Sequence, residues 1–113
     1  MANYFSEEAI VLEAHPKFKG VQIAKFVGKE QGSPIGSSIL KIDPGVEIPI
    51  HTHDESIDSI YCIKGVGQVF RDGSWQPFSE GDYCFIPAAQ EHGVRNTSDK
   101  PLRLFVVHCP PLF

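Results

Sequence analysis

Apolar residues in this chain fall in short runs, most of them alternating with polar ones and closed by glycine, proline or aspartate. A period of two marks strands with one buried face, and no stretch keeps the longer period of an extended amphipathic helix. The pattern predicts strands over residues 10–14, 21–27, 38–42, 47–53, 58–63, 68–71, 75–78, 83–86, 93–96 and 102–109. Turn chemistry separates them. His15-Pro16, Asp43-Pro44-Gly45 and Gly65-Val66-Gly67 interrupt the runs, the polar segment 28–36 carries Gly32 and Pro34, and Asp72-Gly73 is the strongest two-residue hairpin signal. Residues 1–8 read as a short arm or helical turn, with Ser6 ahead of Glu7 and Glu8. The tail Cys109-Pro110-Pro111-Leu112-Phe113 cannot continue a central strand, yet it ends apolar and is expected to dock on a surface. Short strands punctuated this often point to an all-β antiparallel sandwich or barrel.

Composition narrows the picture. The chain has 113 residues, 42% of them apolar, which suits one globular domain over residues 1–113. A formal charge of −4 and the lack of any basic run argue against nucleic acid as a partner. Cys62, Cys84 and Cys109 form no C-x-x-C pair and are too few for a disulfide framework, so a reducing, cytoplasmic setting is expected. No membrane segment or leader is expected either, since the run 9–12 is too short for one.

Candidate chemistry concentrates between Gly45 and Gly65. On a regular strand His51 and His53 share a face with alpha carbons about 6.6 Å apart, within reach of one cation. Asp58 opens the next strand, and His92 follows Pro87 in a separate strand-turn-strand passage. Three imidazoles and one carboxylate make a mixed N/O donor set suited to iron, manganese, nickel, copper or zinc. Glu55 is an alternative oxygen donor, two residues from His53.

These residues carry a resemblance. Gly45, His51, His53, Asp58 and Gly65 fall on the first cupin motif, G-x5-H-x-H-x3,4-E-x6-G, and Gly81, Pro87, Ala89, His92 and Asn96 on the second, G-x5-P-x-G-x2-H-x3-N. The two motifs occupy residues 45–65 and 81–96, and the chain resembles a small single-domain cupin. The resemblance implies a double-stranded β-helix, a jelly-roll-like barrel, with a divalent transition metal (Fe, Mn, Ni or Zn) held by His51, His53, Asp58 and His92. Two positions depart from the motifs. Asp58 is one methylene shorter than the family glutamate. Ala89 replaces a glycine, which suggests that its backbone does not need a positive φ.

Strand alternation adds two expectations. Glu47 and Pro49 should face inward with His51, making Glu47 the candidate catalytic acid or base. Ile48 and Ile50 should then face outward, where a second copy of the chain would cover them in a homodimer. His15 and His108 read as ordinary hydrogen-bonded histidines, and Cys62 and Cys84 as small core fillers. Trp75, Tyr83, Phe85 and Phe105 read as packing residues. The function implied is a small metal-dependent enzyme of dioxygenase, isomerase or decarboxylase type acting on an oxygen-rich small molecule. The alternative is a non-catalytic binding or sensing module with the same cavity.

Overall fold

The computed structural model describes residues 2–113. Ten strands carry the fold: β1 (Glu13–Ala14), β2 (Val21–Val27), β3 (Gly36–Ile42), β4 (Glu47–His51), β5 (Ile57–Lys64), β6 (Val66–Arg71), β7 (Ser74–Ser79), β8 (Tyr83–Ile86), β9 (His92–Asn96) and β10 (Leu102–Cys109). They form a six-stranded sheet in the order β1-β2-β3-β10-β5-β8 and a four-stranded sheet in the order β4-β9-β6-β7, both antiparallel in every pairing. This is the double-stranded β-helix expected from the motifs. The helical turn expected near the start is a single 3-10 turn at Glu7–Ala9; a second, not anticipated, lies at Lys29–Gln31. The described residues contain no helix long and apolar enough to cross a membrane.

The turns follow the local chemistry. Asp72 and Gly73 both take positive φ, 50° and 85°, as a two-residue hairpin between β6 and β7 requires. Ala89 reverses an expectation: its φ is 65°, so the position does demand the left-handed region and an alanine occupies it under strain. The constraint comes from its own backbone, whose N–H donates to the His53 carbonyl at 2.8 Å and ties the second motif's turn to the end of the first motif's strand.

The space between the sheets is divided along the strands. On β10, Leu102, Leu104 and Val106 are buried and His108 follows in the same phase; on β5 the inward series is Cys62, Ile60, Asp58; on β9 it is Asn96, Val94, His92. One end is therefore a dry core, in which Ile42, Leu102 and Leu104 are essentially inaccessible, and the other is a polar cluster. Each fully buried aliphatic side chain contributes about 1.5–3 kcal/mol. Cys62 and Cys84 are buried in the core, as expected of small fillers. Asn96 closes the dry end, its amide donating to the carbonyls of Ile42 and Lys100 while its oxygen accepts from Ser98.

Strand β4 departs from simple alternation. Ile48 pairs with Val94 but His51 pairs with His92, so three steps on β4 match two on β9. This is a β-bulge at Pro49-Ile50, on an edge strand where a proline costs no ladder bond. The extra residue lets Ile48 and His51 both face inward. Glu47 is consequently exposed and pairs with Arg95 at 3.7 Å, and Ile48 belongs to the core. The expected inward Glu47 and the expected outward Ile48–Ile50 patch are thus both overturned, and only Ile50 remains exposed.

Exposed aromatics instead gather on the outer face of the six-stranded sheet. Register places Tyr83 beside Tyr61, Tyr61 beside Phe105 and Phe105 beside Ile39, in one line across four strands, with Phe85 next to it. Tyr83, Phe85 and Tyr61 are 59%, 53% and 45% exposed, so these are not core packing residues. Trp75 lies apart from them, under the Arg95 guanidinium at 4.2 Å.

Candidate metal centre

Four histidines and one aspartate converge at the polar end of the inter-sheet space. The rings of His51 and His92 lie 4.3 Å apart between centroids, those of His51 and His53 4.8 Å, and those of His53 and His92 5.1 Å. The donor atoms of His51, His53 and His92 all lie within 4.8 Å of one another, and so do those of His53, Asp58 and His108. The bulge sets the first of these groups. It brings His51 opposite His92 and leaves the Pro49 carbonyl free to accept from His51 Nδ1 at 2.7 Å. The Gln90 carbonyl likewise accepts from His92 Nδ1 at 2.9 Å. Both rings therefore keep Nε2 as the nitrogen with an available lone pair when neutral.

Asp58 is 4% exposed, and its carboxylate sits among three imidazoles. His92 Nε2 is 2.8 Å from Oδ2, while His108 Nε2 is 3.1 Å and His53 Nε2 3.7 Å from Oδ1. These approaches are close but poorly aligned. Asp58 Oδ1, His92 Nε2 and His108 Nδ1 are buried without a well-directed hydrogen-bond partner. Burial acts to raise the Asp58 pKa, but His108 and His92 outweigh it and hold the carboxyl well below the usual carboxylate range. Burial likewise works against protonating His92, yet Asp58 and the Gln90 carbonyl prevail and raise its pKa. At His53 burial wins and lowers the pKa to about 4; at His51 it also lowers it. Two imidazoles whose pKa burial lowers, a carboxylate and a third imidazole whose proton a cation must displace are chemically fitted to a borderline divalent metal.

The residues expected from sequence are thus brought together, except for Glu47, which does not line the cavity. Glu55 is exposed, whereas Asp58 is inside. His108 is the member that the sequence reading missed. Its signal was present in the alternation of Leu102, Leu104 and Val106, which places His108 on the same inward face.

A cavity of about 370 Å³ opens over the cluster. Its deep walls are apolar, from Ile60, Val94, Leu104 and Val106; its rim carries His15, Lys17, Phe18 and Lys25. The tail docks as expected and completes the rim with Leu112 and Phe113. It is pinned by Ser56 Oγ donating to the Pro110 carbonyl and by the Lys29 N–H donating to the Phe113 carbonyl, both at 2.7 Å.

Comparison with known proteins bears on the same segments. The family model described as the cupin domain matches residues 38–108. The chain is 28% identical to an oxalate-binding protein of Thermotoga maritima over 60% of this chain and 56% of that protein. It is 32% identical to polyketide synthase CurC of Streptomyces cyaneus over 69% of this chain and 49% of that protein. The matches thus span about half the length of these two relatives. Among solved structures, the polyketide cyclase RemF from Streptomyces resistomycificus superposes with a TM-score of 0.83 at 20% identity, covering 100% of this chain and 87% of that one.

Proposed function

Since the chain belongs to the cupin family, we propose that it is a metal-dependent protein that takes a small, oxygen-bearing organic molecule into the cavity above its histidine cluster, and that it acts on that molecule as an enzyme. His51, His53, His92 and Asp58 would hold the metal. The observation that carries this is the set of buried, unsatisfied lone-pair atoms, Asp58 Oδ1 and His92 Nε2 foremost, which a cation would satisfy and which are costly to leave unpaired. A bound divalent metal supplies Lewis acidity toward a carbonyl or carboxylate oxygen or, if it is redox-active, a site for oxygen chemistry. The chain's own residues do the rest. The Pro49 and Gln90 carbonyls fix the rings of His51 and His92, the apolar walls exclude water, and the His108 ring stands beside Asp58 within the cavity.

The name of one relative suggests oxalate as a ligand, but a two-carbon diacid would leave most of this cavity empty. The apolar walls support a larger molecule, as the polyketide-related names of other relatives do. A second reading, a binding module without turnover, is favoured by one observation: Glu47 lies outside, so no free carboxylate other than Asp58 lines the cavity.

The test is metal analysis of protein purified without added metal, followed by oxygen-uptake and carbonyl-substrate panels with each metal restored. Near-stoichiometric metal, lost in His51→Ala and His92→Ala, is expected. Absence of metal under every loading condition overturns the proposal, and metal without turnover leaves the binding module.

The assembly proposed is a homodimer formed through the outer face of the six-stranded sheet, where Tyr83, Tyr61 and Phe105 form a continuous exposed aromatic line. Sedimentation at micromolar concentration should give a dimer, and Tyr61→Asp a folded monomer. A monomeric wild type removes the idea.

A further inference from the structure

We propose that the ligand of this cavity is an anion with an apolar body, its charged head held at the rim by Lys17, Lys25 and His15. The inference rests on reading the cavity as a small-molecule site and adds the charge and shape of the molecule. Three hydrogen-bond donors meet on that rim. The Nδ1 of His15 accepts from the backbone N–H groups of Lys17 and Phe18, at 3.0 and 3.3 Å, so its remaining nitrogen, Nε2, carries the proton and is a donor. Lys17 and Lys25 line the same cavity as the His15 ring.

Lys25 is there by strand phase. It follows Val21 and Ile23 on the inward side of β2, and its Nζ lies 4.9 Å from the Phe113 ring centroid, at the cavity's edge. The side chain itself is exposed, so its ammonium is solvated and stands available to an anion at the mouth. Among the described residues neither lysine makes an ion pair, and the only acid lining the cavity is Asp58, at its deep end. Ser38, the register partner of Lys25 and 1% exposed, adds a hydroxyl-bearing side chain to the same wall. In a chain of net charge −4 this mouth gathers two ammonium groups and an imidazole N–H.

The rest of the lining is largely aliphatic and aromatic, which suits a ring or short hydrocarbon body. At about 370 Å³ the space lies toward the small end of ligand pockets, roughly 300–1,000 Å³. A carboxylic acid whose apolar body spans from the lysines to the histidines fits both ends.

The test uses metal-free protein, so that the rim is read apart from the metal. Calorimetric titration compares 3-phenylpropanoate, 3-phenylpropan-1-ol and 3-phenylpropylammonium, which share one body and differ in charge. The carboxylate should bind about tenfold more tightly than the alcohol, and the ammonium more weakly than either. In the Lys17→Gln/Lys25→Gln double variant the carboxylate's advantage should shrink to about twofold or less, with thermal stability unchanged. Equal binding of acid and alcohol overturns the proposal. So does an advantage that survives in the double variant, because the head would then sit at the histidines. Metal content is measured separately: protein that selects the carboxylate but never loads metal defeats the metal reading and leaves this one standing, and the converse result does the reverse.

Discussion

Gly93→Ala should damage the metal centre without touching a single donor. Gly93 sits on β9 directly after His92, facing the bulge of β4. A methyl built there would lie 2.9 Å from the Ile48 carbonyl oxygen, 3.2 Å from the Ile50 nitrogen and 3.3 Å from the Ile50 alpha carbon. All three are backbone atoms, so no side chain can rotate away. Restoring ordinary contact requires β4 and β9 to part by about 0.5 Å. Overpacking of this kind costs about 1–3 kcal/mol, and the stiffer unfolded chain of an alanine variant returns about 0.4–1 kcal/mol. A net loss of about 1–2 kcal/mol is expected in denaturant unfolding of the metal-free protein. The same displacement separates His51 from His92, and metal sites tolerate only about 0.5 Å of misplacement, so metal affinity should fall at least about tenfold. Gly36→Ala is the control, because its methyl meets chiefly Pro111, at 3.3 Å from that side chain, and should leave metal affinity unchanged. A Gly93→Ala variant with wild-type unfolding midpoint and wild-type metal affinity would refute the bulge as the element that sets the site.

Three further outcomes follow from the same structure. Ala89→Gly should stabilise the protein by about 1 kcal/mol in denaturant melts, since glycine takes φ 65° without the strain of a β-carbon; a destabilised variant would contradict this. Burial raises the Cys62 thiol pKa from 9.0 to about 11, so the folded chain holds that proton where the unfolded chain releases it. Stability present below about pH 9 should therefore be lost as pH rises toward 11, by roughly 2–3 kcal/mol, and Cys62→Ala should show a flatter pH profile in chemical unfolding. Metal affinity should weaken as pH falls, by about tenfold per unit once below the raised pKa of His92, while His53, with its pKa near 4, stays unprotonated well below neutrality. Asp58→Asn should move the onset of that weakening to lower pH, a shift that metal titration across a pH series would detect.

The strand positions rest on features that sequence carries well, alternation and turn residues, and the gathering of His51, His53, Asp58 and His92 was implied by the spacing of the two motifs that carry the resemblance. Nine of the ten predicted strands match observed ones to within a few residues, and the exception, residues 10–14, keeps only Glu13–Ala14 because that segment pairs only at its end with β2. Two of the errors share one physical origin. A period of two assigns faces only while pairing stays one-to-one, and the bulge at Pro49-Ile50 breaks it, which misdirected Glu47 and Ile48 together. Pro49 was the available warning, because a proline within a strand marks an edge or a bulge. Ala89 misled differently: its left-handed backbone is imposed by the hydrogen bond to His53, a partner thirty-six positions away that no local preference encodes. His108 belongs to neither motif and reads alone as an ordinary strand histidine, although its phase on β10 places it inward.

The docking of Leu112 and Phe113 on the cavity mouth has a practical corollary for anyone handling this protein. A purification tag fused after Phe113 would leave from the lip of the pocket and could lever the strap from its seat on Lys29. A polyhistidine tag in that position would also offer competing imidazoles a short distance from the native ones, inflating metal counts and blurring titrations. A removable tag ahead of residue 2, at the other end of the chain, avoids both artefacts.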